Sequence, residues 1–191
     1  MTLPRFKTSS TLAVASLAIA TVIAPLPSRA ADPISDANIG AIVVAANQID
    51  IDYGKIALAK SQNKQVRDFA QRMVTDHSAV QKSVLELAAK LKLIPQDNAT
   101  SRSLKENAVT VTAKLKALKG KDFDKFYIDN EVSYHKQVTD ALETMLIPNA
   151  KNAEFKSALV GAQALFLEHL EHGRQIQANW DKTSAALDSH H

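Results

Sequence analysis

The chain has 191 residues, the size of one ordinary domain, and its 46% hydrophobic and 23% charged composition is that of a chain that folds. It contains no Cys, which excludes disulfides, thiolate metal sites, thiol catalysis and a Cys-linked lipid anchor. The formal net charge of +3 lies entirely in the first thirty residues: without Arg5, Lys7 and Arg29 the 23 bases become 20, equal to the 20 acids. A neutral remainder has no surplus of basic charge to neutralise phosphates, so nucleic acid is not an expected partner.

Residues 1–30 read as a cleaved secretory signal peptide. Arg5 and Lys7 precede an apolar run from Thr11 to Ile23, then Pro25 and Pro27, then Ser28-Arg29-Ala30 as a small-x-small cleavage site. The apolar run is shorter than the ~20 residues of a spanning helix, and no later segment is apolar enough to span. The expected product starts at Ala31, is soluble, and is periplasmic or secreted. Residues 31–180 are expected to form a helical bundle, and 181–191 a flexible polar tail.

Pro33, Pro95, Pro148 and Gly120 punctuate that bundle, with Asp122 as a candidate N-cap. Five helices follow from apolar steps of three and four. Helix A spans about Asp36 to Lys60, B about Lys64 to Lys92, X about Ala99 to Lys119, C about Phe123 to Leu146, and D about Asn152 to Trp180. No strand pattern is present. The fold class is all-α: a ferritin-like four-helix bundle in which X, a short crossover helix between the second and third long helices, makes B and C parallel.

Polar residues interrupt the apolar seams. His77, His135 and His169 hold seam positions in B, C and D, and Glu131 precedes His135 by one turn. Asp50 flanks the helix A stripe beside Ile49, and His172 lies one turn beyond His169. Each of Asp50, His77, His135 and His169 falls near the middle of its helix, which places the four at one level. Buried imidazole and carboxylate need partners: one another, water or a metal. The candidate metal ligands are His77, His135, His169 and Glu131, with Asp50 and His172 as weaker candidates, for a divalent transition ion among Zn, Cu, Ni, Mn and Fe. Asp76 and Glu168 point about 100° off their seams, as second partners or solvated charges. Tyr53, Tyr127 and Tyr134 are placed to donate hydrogen bonds into the layer. His190-His191 is a weak metal-binding pair at the chain end.

The run Phe69-Ala70-Gln71-Arg72-Met73-Val74-Thr75-Asp76-His77, with Asp50-Ile51-Asp52-Tyr53-Gly54-Lys55-Ile56-Ala57 before it, resembles the domain-of-unknown-function family 4142. Phe123-Asp124-x-x-Tyr127, Glu131-x-x-x-His135 and His169-Leu170 extend the resemblance over about Asn38 to Asn179. It implies an exported bacterial ferritin-like bundle and brings no established activity. The chain has Asp50 where the family pattern has Glu, and Ala164 where a Pro is usual. A bundle di-iron site uses Glu-x-x-His pairs, and the chain has none.

These observations favour an exported bundle that binds a metal or small ligand through a central His/carboxylate layer, with the weight on binding rather than catalysis. One alternative is an envelope interaction or stress protein whose polar layer only fixes register. The other is a metal-dependent redox enzyme. A bundle of this size buries its own core, so a monomer suffices.

Overall fold

The computed structural model describes residues 34–188, with side chains through Trp180. The expected signal segment, and 189–191 with the His190-His191 pair, lie outside the described residues. Helix α1 spans Asp36–Lys60, α2 Lys64–Lys90, α3 Ala99–Ala117 and α4 Gly120–Ala141. A π-helical turn, Leu142–Leu146, and the short α5, Ile147–Asn149, prolong α4, and α6 spans Ala153–Asp188. No strand occurs among the described residues. The backbone of α6 stays helical past Trp180, where the sequence expectation places the start of the polar tail.

The helix ends have local causes. Ser35 and Asn38 form a capping box at α1, Asn63 accepts from the amides of Gln65 and Val66 at α2, and Asn98 and Ser101 box α3. At the end of α2, Lys92 takes φ 55°. Its amide donates to Ala89 O at 3.1 Å and that of Leu93 to Ala88 O at 2.8 Å, a Schellman closure with Lys in the usual Gly position. Asp122 is not the N-cap of α4. Lys119 holds that place without a side-chain hydrogen bond, Gly120 reverses the chain at φ 55°, and Asp122 sits in the first turn, where its charge suits the helix dipole. Pro148 lies inside the helical continuation rather than between helices. It has no N–H to return to the preceding turn, and the wider π turn lies directly before it.

Contacts at the helix ends fix the topology. Asn98 Nδ2 donates to Asn38 O at 3.0 Å, and Lys60 Nζ to Leu115 O at 2.6 Å, so α3 runs parallel to α1. The backbone amides of Lys151 and Asn152 donate to the Asp36 carboxylate at 2.8 and 2.9 Å, while Lys60 sits over the Phe123 ring, so α4 runs against α1. The Lys90–Glu154 ion pair and the His169–Asp76 contact set α6 against α2. Helices α2 and α4 are therefore parallel, with α3 as the crossover, as the sequence predicts.

The core has two apolar ends. One gathers Phe69, Met73, Phe123, Tyr127, Ile128 and Ile176. The other gathers Ile42, Leu142, Leu146, Phe155, Leu159 and Phe166. Between them Asn47, Asp50, His77, Glu131, His135 and His169 are buried, none more than 3% exposed.

Candidate metal centre

Each of the four long helices sends polar groups into this layer. Helix α1 supplies Asn47 and Asp50, α2 His77, α4 Glu131 and His135, and α6 His169. One ring nitrogen from each of His77, His135 and His169 lies within 4.8 Å of the other two, and so do ligand atoms of Asp50, Glu131 and His135.

The hydrogen bonds assign the tautomers. Asn47 Nδ2 donates to Val43 O at 2.8 Å, which turns its Oδ1 to His77 Nδ1 at 2.9 Å. An amide oxygen only accepts, so His77 Nδ1 carries the hydrogen and Nε2 keeps a lone pair. His135 Nδ1 lies 3.0 Å from Glu131 O, another acceptor, so His135 Nε2 is also bare. His169 Nε2 donates to Asp76 Oδ2 at 2.8 Å, which leaves His169 Nδ1 bare, buried and without a partner.

The rings are neutral. Burial lowers His77 to about 4, against a partial counter-effect from Asp76. Burial likewise lowers His135 to about 4 although Asp50 opposes it, and lowers His169 to about 4 although Asp76 opposes it. Asp76 itself stays ionised: desolvation works to raise it, but hydrogen bonds from His169 and Arg72 together hold it below the usual carboxylate range. Neutral imidazole is the metal-binding form.

Bare nitrogens and a carboxylate then crowd one point. His77 Nε2 is 3.3 Å from His135 Nε2, and Asp50 Oδ2 is 3.3 Å from the first and 3.5 Å from the second. All four carboxylate oxygens of Asp50 and Glu131 are buried, and no N–H or hydroxyl of the described residues donates to any of them. Burial, then the charge of Asp50 and a hydrogen bond with it, push Glu131 well above the carboxylate range. Burial raises Asp50 too, while His135 and a hydrogen bond from Glu131 pull it back. Glu131 is the protonated member of this pair and donates to Asp50, the anionic one.

The sequence-derived candidates sort accordingly. His77, His135 and His169 converge on one another. Asp50, the weaker candidate, sits against the bare nitrogens. Glu131 is in the layer, but its Oε2 is 3.6 Å from Nδ1 of His135, the ring nitrogen that carries the hydrogen. His172 falls outside: it stacks edge-on to Phe69 at 5.2 Å and belongs to neither ligand cluster. Asp76 is the orienting partner of His169. Tyr134 donates to Ala46 O rather than into the layer, and the buried Tyr127 hydroxyl has no partner. Asn47 is the residue that the sequence reading misses, although its spacing of three from Asp50 puts both on one face of α1.

Among the described residues no helix is long and apolar enough to cross a membrane. No curated protein matches the chain. A solved structure that does match is the crystal structure of a DUF305 fragment from Deinococcus radiodurans. The TM-score is 0.63 at 12% identity, over 77% of this chain and 99% of that one, a likeness of fold alone. Residues 24–176 match the family described as Domain of unknown function (DUF4142), and the chain belongs to that family.

Proposed function

We propose that the chain is an exported metal-binding bundle, periplasmic or secreted, that holds one divalent transition ion between His77, His135, His169 and Asp50. The observation that carries this reading is the set of bare donor atoms around Asp50. In a tetrahedral site with ligands at about 2.0–2.1 Å, donor atoms stand about 3.3–3.4 Å apart. The His77–His135, His77–Asp50 and His135–Asp50 separations are 3.3, 3.3 and 3.5 Å. Two lone pairs and an anionic oxygen at that spacing repel unless a cation lies between them.

The donor set points to the ion. Three nitrogens and one oxygen without sulfur, in a closed layer, suit four-coordinate zinc best, with Cu(II) the strongest competitor by affinity. Asn47, the Glu131 carbonyl and Asp76 supply the outer hydrogen bonds that fix ring orientation in metal sites. Bound, the ion neutralises Asp50 and ties four helices together.

The test is metal analysis and calorimetric titration of protein purified without a tag, with His190 and His191 replaced by Ala to remove the terminal pair. One equivalent of zinc per chain, lost in His135→Ala, is the expected result. Absence of stoichiometric uptake of Zn, Cu, Ni, Mn and Fe(II) near neutral pH overturns the reading.

A further inference from the structure

Beside the histidine layer a cavity of about 200 Å³ opens between α1, α3, α4 with its π turn, and α6. Its floor includes Asn47 and Phe166. These are also the two residues that hold His77, one by hydrogen bond and one by stacking at 4.6 Å. Thr100 and the exposed Gln137 are at its mouth. No Asp, Glu, Lys, Arg or His lines it.

We propose that this cavity binds one small neutral molecule of one or two rings, with any polar group directed to Thr100 and Gln137. A concave, mostly apolar pocket with a few polar groups at its opening is the usual form of a small-molecule site. An apolar cavity of about 150 Å³ stays dry and admits benzene, which sets the scale of the occupant. The floor offers little to a polar ligand, because Asn47 already spends its oxygen on His77 and an amide hydrogen on Val43 O. A charged ligand would enter without a counter-charge, at a large desolvation cost. A second observation points the same way. The wall contributed by Leu142, Met145 and Leu146 is the π-helical turn, and such turns recur at functional sites. The proposal is independent of the metal, since none of the four ligands named above lines the cavity.

The test titrates the whole chain, metal-free and zinc-loaded, with indole and with benzene, followed by calorimetry and amide NMR shifts. Saturable binding of one indole per chain is expected in both forms, with shifts centred on α1, the mouth of α3 and the π turn. Indole-3-carboxylate, the same ring with a charge, is expected to bind about tenfold more weakly or worse. Ala141→Phe fills the cavity from its half-buried rim and removes binding. Thr100→Trp blocks the mouth from α3 and carries the same expectation should the first variant not fold. The proposal is overturned if neither probe binds folded wild-type protein saturably, if both folded variants bind indole unchanged, or if indole-3-carboxylate binds as tightly as indole.

Discussion

His77 Nε2 and His135 Nε2 face each other at 3.3 Å, and each ring's other nitrogen has given its hydrogen to an acceptor elsewhere. Two bare nitrogens at hydrogen-bond distance lack the proton that would join them, and a metal ion supplies the missing positive charge. His77→Ala is therefore expected to abolish stoichiometric zinc uptake. In metal-free protein it leaves Asn47 Oδ1 buried without its donor, at about 1–3 kcal/mol. Thermal melts separate the two effects. Zinc at about 100 times its Kd raises wild-type stability by about 2.7 kcal/mol and leaves the variant unmoved. A variant that still gains stability from zinc contradicts the assignment.

Asn47 tests the tautomer argument without touching a ligand. Asn47→Leu keeps the volume and removes the acceptor, so His77 is free to place its hydrogen on Nε2, where it blocks the site. Zinc affinity is expected to fall about 10–100-fold with helical content unchanged. Asn47→Asp restores the acceptor for Nδ1 but sets its second oxygen against Val43 O in place of the amide donor, so affinity is expected to recover in part, whereas a purely packing role predicts no recovery. Competition titration against a chromophoric chelator reads both variants.

The layer makes metal-free stability depend on pH with a definite sign. His77, His135 and His169 are each lowered to about 4 in the folded chain, below the ordinary imidazole value of about 6.5. Unfolding between those values takes up protons, so stability falls as pH drops from about 6.5 toward 4. Glu131 and Asp50 are shifted upward and act oppositely, since unfolding releases the proton they share. Three imidazoles outweigh the proton shared by the carboxylate pair, so the net dependence keeps the sign that the histidines set. Urea unfolding with chelator at pH 7 and pH 5 checks this, and equal or greater stability at pH 5 contradicts it.

The seam histidines were legible because α2, α4 and α6 each bury a stripe, so phase alone turns His77, His135 and His169 inward. Helix α1 obeys a different rule. Ile39, Ile42, Val43, Asn47, Asp50, Ile51 and Tyr53 are all buried, because α3 packs along α1 outside the four-helix core. With apolar residues nearly all round, no single stripe stands out, so Asp50 reads only as a flanking residue and Asn47 carries no periodic signal. His172 failed for the opposite reason. It repeats the spacing of the seam but lies one turn toward the rim, where Phe69 occupies the interior. The tautomers were beyond the sequence altogether, since they depend on which carbonyl or amide oxygen each ring meets.

The level at which the four helices meet depends on how closely α1 and α2 approach, and Gly54 sets that approach. A Cβ at Gly54 would lie 2.8 Å from Val74 Cγ2 and 3.1 Å from the backbone oxygen of Ala70. The first contact involves a β-branched side chain with little rotamer freedom, and the second involves backbone that moves only with the helix. Gly54→Ala is expected to cost about 1–3 kcal/mol through overpacking, set against the roughly 1 kcal/mol that Ala ordinarily gains over Gly inside a helix. Val74→Ala in the same chain removes the side-chain clash and leaves the Ala70 contact, so it recovers part of the loss but not all. The pair also moves α1 relative to α2, and with it Asp50 relative to His77, so zinc affinity should fall with stability in Gly54→Ala and return partway in the double variant. Chemical denaturation and zinc titration of the three variants read both quantities. A single variant as stable as wild type shows that α1 and α2 separate freely at this point, and that the spacing of the layer is set elsewhere.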